Sequence, residues 1–136
     1  MSAVATHTRS TAGDALRFLG VASILVVGGV HLQQYKSFIS DVPTIGTLFL
    51  LNAIGAAGIA LGITALRGKL AAMAAASGVG LSLGALGSIV IAMNGTIFGY
   101  AEPSFRPGVT IAVIAEIVSV VVLSALAMRE FRSDET

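Results

Sequence analysis

Long apolar stretches separated by short polar breaks dominate the chain. Residues 44–66 and 70–98 carry no charge over 23 and 29 positions. Residues 108–128 carry one, Glu116, and 18–32 make a shorter run of 15 that the flanking residues extend. A bilayer core about 30 Å thick takes roughly 20 apolar residues at about 1.5 Å each. The pattern therefore predicts four membrane-spanning helices, at about 15–34, 44–66, 70–98 and 108–128. The first run has the length of a signal-peptide core. Mostly polar residues precede it, however, and GGVHLQQY has no small-x-small cleavage site, so we read it as a retained span. The expected class is all-α, a polytopic transmembrane four-helix bundle over 15–128, with polar tails at 1–14 and 129–136.

The breaks have chemical reasons. Gly13-Asp14 offers a helix N-cap before the first span. Pro43 precedes the second, where its fixed φ suits a helix start. Arg67-Gly68-Lys69 reads as a tight polar hairpin that makes spans two and three antiparallel neighbours. Pro103 and Pro107 bracket the connection 100–108 and keep spans three and four apart.

Composition agrees with this pattern. Charged residues make up 11% of the chain and hydrophobic ones 55%, with a mean hydropathy of +0.91. Soluble domains carry roughly 25% charged residues, so a water-exposed globule is excluded. Intrinsic disorder is excluded by the high hydrophobicity. A net charge of +1 leaves no electrostatic footprint for nucleic acid. With no cysteine there is no disulfide, thiolate metal site or cysteine nucleophile.

Charge placement predicts orientation. Arg9, Arg17, Arg67, Lys69, Arg129 and Arg132 fall on the side of the termini, and only Lys36 and Arg106 fall opposite. The positive-inside rule then predicts that both termini lie in the cytoplasm. Tyr35 and Tyr100 fall on the outer boundary, at headgroup level.

Helices in lipid associate through small residues that let backbones approach. Span three carries such residues at a spacing of four: Ala72, Ala76, Gly80, Gly84, Ser88 and Ala92. Span two has the GxxxG pair Gly58 and Gly62, and span one has Gly20 and Gly28. The ridge on span three is expected to be an intramolecular seam or, alternatively, an oligomer contact. The Val- and Ile-rich fourth span suits a lipid-facing surface.

Four polar side chains fall in or at the ends of the spans, all toward the outer half: His31, Asn52, Asn94 and Glu116. An ionisable group in hydrocarbon costs several kcal/mol and is often functional. Glu116, flanked by the small residues Ala112, Ala115 and Ser119, is the main candidate. It serves either as a working group or as interhelical glue bonded to Asn52 or His31. His31 alone suits a boundary residue, and Asn52 a helix–helix hydrogen bond. Gln34 and Tyr35 read as interfacial anchors, and the opposite half has no comparable polar group. No metal site is expected, because His31 and Glu116 supply two ligands at best. No cofactor is expected either: haem between helices wants paired in-membrane histidines, and His7 lies in the tail. P-loop, GxSxG and HExxH motifs are missing, which argues against an enzyme.

The segments HLQQY (31–35), ISDVP (39–43) and TIGTLFLLNAIGA (44–56) resemble small four-span membrane proteins of bacteria whose activity is unassigned. That resemblance implies a fold and a membrane, and no substrate. The size and single embedded glutamate are also similar to small multidrug-resistance exporters. Their key glutamate lies in the first span, and here it lies in the fourth, so their function is not transferred. Three functional readings follow. The first is an accessory or interaction component working through the bilayer, a homo-oligomer or a membrane-protein partner. The second is a small transporter or proton-linked carrier using Glu116. The third is a binder of a lipid- or quinone-like ligand in an outer-half polar pocket.

Overall fold

Each apolar run folds into one helix, and in lipid this is the way a single segment satisfies its own backbone polar groups. A computed structural model describes residues 11–133. Its elements are α1 (Thr11–Gln34), a π-helical turn (Tyr35–Ile39), α2 (Ile45–Ala65), α3 (Gly68–Asn94) and α4 (Pro107–Ser133). All four helical segments are long and apolar enough to cross a membrane, the first as the continuous stretch Thr11–Ile39. The chain is an all-α, multi-pass four-helix bundle.

Three boundaries differ from expectation. Helix α1 starts by Thr11, so Gly13 and Asp14 lie inside it and do not cap it. Helix α3 stops at Asn94, because Phe98 and Gly99 take positive φ of 51° and 78° in a tight turn closed by paired Ile97–Tyr100 backbone hydrogen bonds. Helix α4 continues to Ser133, so residues 129–133 of the supposed tail are helical. Residues 1–10 and 134–136 of the two tails, with His7 and Arg9, lie outside the described residues. The remaining breaks fall near the expected residues. Gly68, at φ 57°, opens α3 directly after the break at Leu66 and Arg67, and Pro107 opens α4. Between Pro43 and α2, Thr44 takes φ 64° with Ile45 N–H donating to Pro43 O, a strained γ-turn.

The helices form a ring in which α1 packs on α2 and α4, and α3 packs on α4 and more sparingly on α2. The core lies in the half nearer the termini: Ile24 and Val27 of α1, Ala56, Ala60 and Ile63 of α2, Ala75 of α3, Leu123 and Leu126 of α4. Large apolar side chains such as Phe18, Leu61, Met73, Val90 and Val121 project outward, where lipid is their solvent.

Small residues make the seams, but not along the expected ridge. Gly20 and Gly28 are buried, and a Cβ at Gly28 would sit 2.7 Å from that of Ala56. Gly62 faces Ala74, as a seam residue should. Gly58, Gly80 and Gly84 face open space on this chain, and Ala76 is exposed, so they are no intramolecular seam. Ser88 is half-buried and donates to Gly84 O within its own helix. The buried face of α3 runs instead through Ala71, Ala72, Ala75, Gly78 and Ser82. The reason is geometric. At about 100° per residue, each step of four advances about 40° around the helix. A strict stripe of four therefore leaves the buried face after Ala72 and reaches the opposite side of α3 by Ala92, which is buried there under the α3–α4 connection, its carbonyl accepting from Glu102 N–H.

Candidate ligand site

Toward the loop end α2 and α3 diverge and enclose a cavity of about 390 Å³. At the terminal end they are closed, with Gly62 against Ala74 and Ile59 beside Gly78. The opening follows from the side chains: four of the α3 residues facing it, Gly80, Gly84, Ala85 and Ser88, are too small to fill the space. Larger residues such as Leu48, Leu51, Leu81 and Ile89 contribute to the apolar wall, and His31, Gln34, Asn52, Tyr100 and Glu102 supply polar groups. From Asn94 to Gly80 is about 20 Å of helix, so the crevice reaches past mid-membrane.

Of the four expected polar residues, three come together and one does not. Glu116 is fully buried and His31 is 5% exposed, with Nε2 3.5 Å from Glu116 Oε1. His31 Nδ1 lies 3.0 Å from Val27 O. A carbonyl only accepts, so that contact puts a proton on Nδ1 and leaves Nε2 to face the carboxyl. One further proton between Nε2 and Glu116 makes the couple neutral overall, whichever atom carries it. Neither carboxyl oxygen has a hydrogen bond of normal geometry. His31 also packs on Phe49, ring centroids 4.9 Å apart. It stands between Glu116 and the cavity, which Glu116 does not line.

Asn52 lies about 10 Å into α2 from Ile45, lines the cavity, and is 8% exposed with its Oδ1 unpartnered. Asn94 is exposed and donates to Val90 O at 2.8 Å, capping its own helix away from the cluster. An end-of-helix amide has free carbonyls beside it and needs no second helix.

Sequence reasoning missed several residues. Gln34 is no surface anchor: it is 3% exposed and its Nε2 donates to Gly108 O at 3.4 Å. Across the top of the cavity, Glu102 accepts from Arg106 Nε at 2.8 Å and Nη2 at 2.7 Å, and from the Tyr100 hydroxyl at 2.8 Å. The Glu102 N–H donates to Ala92 O, tying the loop back onto α3, and the Arg106 guanidinium stacks 4.2 Å over Phe38. Arg106 hydrogen bonds hold the Glu102 carboxyl below its ordinary range, and burial pushes the Tyr100 phenol up. The i,i+4 spacing of Glu102 and Arg106 was a signal available in the sequence. Ser82 and Ser119 are fully buried with unpartnered hydroxyls, and small residues in Ala-rich spans give no such warning.

The terminal half also holds polar groups, contrary to expectation. Arg17 Nη1 donates to Glu130 Oε1 at 2.7 Å, and its Nη2 donates to the carbonyls of Ile63 and Leu66 at the end of α2. Glu130 Oε2 accepts from Gly68 N–H at the start of α3. One ion pair thus caps two helices and joins all four. Among the described residues no three His, Cys, Asp or Glu cluster to hold a metal ion.

No protein-family model, curated protein or solved structure matches this chain.

Proposed function

We propose that this four-span membrane protein binds an amphipathic, lipid-class molecule in the crevice between α2 and α3. The observation that carries the reading is the cavity itself. About 390 Å³ falls in the range of small-molecule sites, which are mostly apolar with a few convergent polar groups. Its long wall is aliphatic and glycine-rich, and its polar groups converge from three helices and the α3–α4 connection. A chain enters sideways from the bilayer and a headgroup meets His31, Gln34 and Asn52.

The other two readings draw less support. A partner helix wants a groove along the whole α2–α3 face, and that face is closed at its terminal end by Gly62 and Ala74. A proton-linked carrier wants its titrating group on the transport path, and Glu116 is sealed behind His31. The host is a bacterial plasma membrane, with both termini cytoplasmic on the charge count. Single cysteines at Ser104 and Arg67 test that orientation: the first should label from outside and the second only after permeabilisation.

Native mass spectrometry of the chain released from mild detergent tests the binding. The wild type should carry an adduct of lipid mass. Gly84→Leu should fold, because a Cβ there meets nothing within 4 Å, yet lose the adduct by filling the crevice. A wild type without an adduct, or a Gly84→Leu variant that keeps it, overturns the reading.

A further inference from the structure

The polar end of the crevice also carries information about the headgroup. Asn52 is nine-tenths buried, lines the cavity and has no partner for its side-chain carbonyl. A buried acceptor left without a donor is costly, so a bound molecule that supplies a donor recovers that cost. The charges nearby are already committed. Arg106 places Nε and Nη2 on the Glu102 carboxylate and its guanidinium face on Phe38. Both Glu102 oxygens are taken, one of them also by the Tyr100 hydroxyl. Lys36 is exposed and does not line the cavity. Gln34 has its amide on Gly108 O, and His31 has one ring nitrogen on Val27 O and the other facing Glu116. An anionic headgroup would therefore meet a carboxylate and no uncommitted cation, and a cationic one would meet a carboxylate already saturated.

Resting on the binding reading above, we infer that the molecule carries an uncharged headgroup with a hydroxyl, an aliphatic or isoprenoid alcohol in chemical class, whose O–H bonds Asn52. A hydroxyl both donates and accepts, so it complements the amide in either rotation about its last torsion. A phosphate or carboxylate in the same place stays charged in a low-dielectric pocket without a counter-ion, which costs several kcal/mol.

The test compares two probes that differ only in the headgroup: hexadecanol with a diazirine in its chain, and the corresponding hexadecyl phosphate. Each is photolysed with the purified chain in detergent micelles, and crosslinks are located by mass spectrometry. The alcohol should label α2 and α3 around the crevice, and Gly84→Leu should abolish that labelling. The phosphate should label the same peptides at least about tenfold less, as expected for a buried uncompensated charge. Asn52→Leu, which keeps the branched shape without the polar atoms, should reduce alcohol labelling about fivefold, the worth of one hydrogen bond. Phosphate labelling equal to that of the alcohol overturns the headgroup inference, as does alcohol labelling indifferent to Asn52→Leu. If the leucine variant does not fold, the two-probe comparison on the wild type still decides. Labelling by neither probe in the crevice overturns the binding reading together with the inference.

Discussion

The two halves of the bundle solve the same problem in opposite ways. Both hold a carboxylate of α4 against a basic side chain of α1. Toward the termini, Arg17 and Glu130 meet at 2.7 Å, are 13% and 12% exposed, and use their remaining groups to cap the end of α2 and the start of α3. Cations suit a helix C-terminus and anions an N-terminus, so each charge stabilises a helix dipole as well as its partner. Toward the loops, His31 and Glu116 stand 3.5 Å apart, with Glu116 fully buried and its oxygens unpartnered. The first pair is a satisfied structural clasp, and the second is a polar group left with capacity. The packing follows the same division, with a filled core at the clasp and an open crevice beside the second pair. Filled packing is concentrated at one end and unpartnered polar groups beside open space at the other.

Four measurements test this contrast, each by denaturation in mixed micelles unless stated. Glu130→Ala should have the largest effect, a loss of about 3 kcal/mol, because it strands a largely buried guanidinium and uncaps α3 together. A loss below about 1 kcal/mol would make the clasp an ordinary surface pair. Next, Gly78→Leu should cost about 2 kcal/mol, since its side chain is driven into Leu123, Ile59 and Ile24. Gly84→Leu on the crevice side should stay within about 0.5 kcal/mol of wild type, as an exposed site away from the core does. Equal sensitivity of the two glycines would erase the distinction between halves.

Smaller still is Glu116→Gln. The glutamine amide can donate to His31 Nε2 as a protonated carboxyl does, so stability should change by less than about 0.5 kcal/mol. Glu116→Leu strands the imidazole nitrogen and should cost about 1–2 kcal/mol. A glutamine variant as unstable as the leucine one would mean that the pair is held by charge.

The smallest effect belongs to the loop cluster and depends on pH. Glu102 is held below its ordinary value of 4.5 by Arg106 in the folded protein. Its contribution is thus complete above that value and is lost as pH falls through the folded one. Protection of residues 97–106 from hydrogen exchange, taken relative to the intrinsic exchange rate at each pH, should fall in acid in the wild type, while that of Glu102→Gln should be lower at neutral pH and change little on acidification. A wild-type loop indifferent to acid would remove Glu102 as the latch.

The amino-acid sequence alone determined that the chain is four membrane helices and roughly where each begins and ends. That information is one-dimensional: uncharged length against bilayer thickness, and Pro, Gly or charge at the breaks. It also singled out His31, Asn52 and Glu116, because a polar side chain inside an apolar span is conspicuous wherever the helix faces. Only the tertiary structure decided which of these meet, since antiparallel depth brings His31 and Glu116 level but helix rotation points Asn94 away. Rotation also moved the seam of α3 off the stripe Ala76, Gly80, Gly84, whose about 40° drift per step is invisible in a spacing of four. In the sequence Arg17 counted only toward orientation and Glu130 drew no notice, and they became a clasp only when α1 and α4 were laid side by side. The crevice has the same origin: small residues permit close packing, but whether a neighbour occupies the space they leave depends on the helices around them. In lipid, apolar burial gains too little to force that choice from pattern alone.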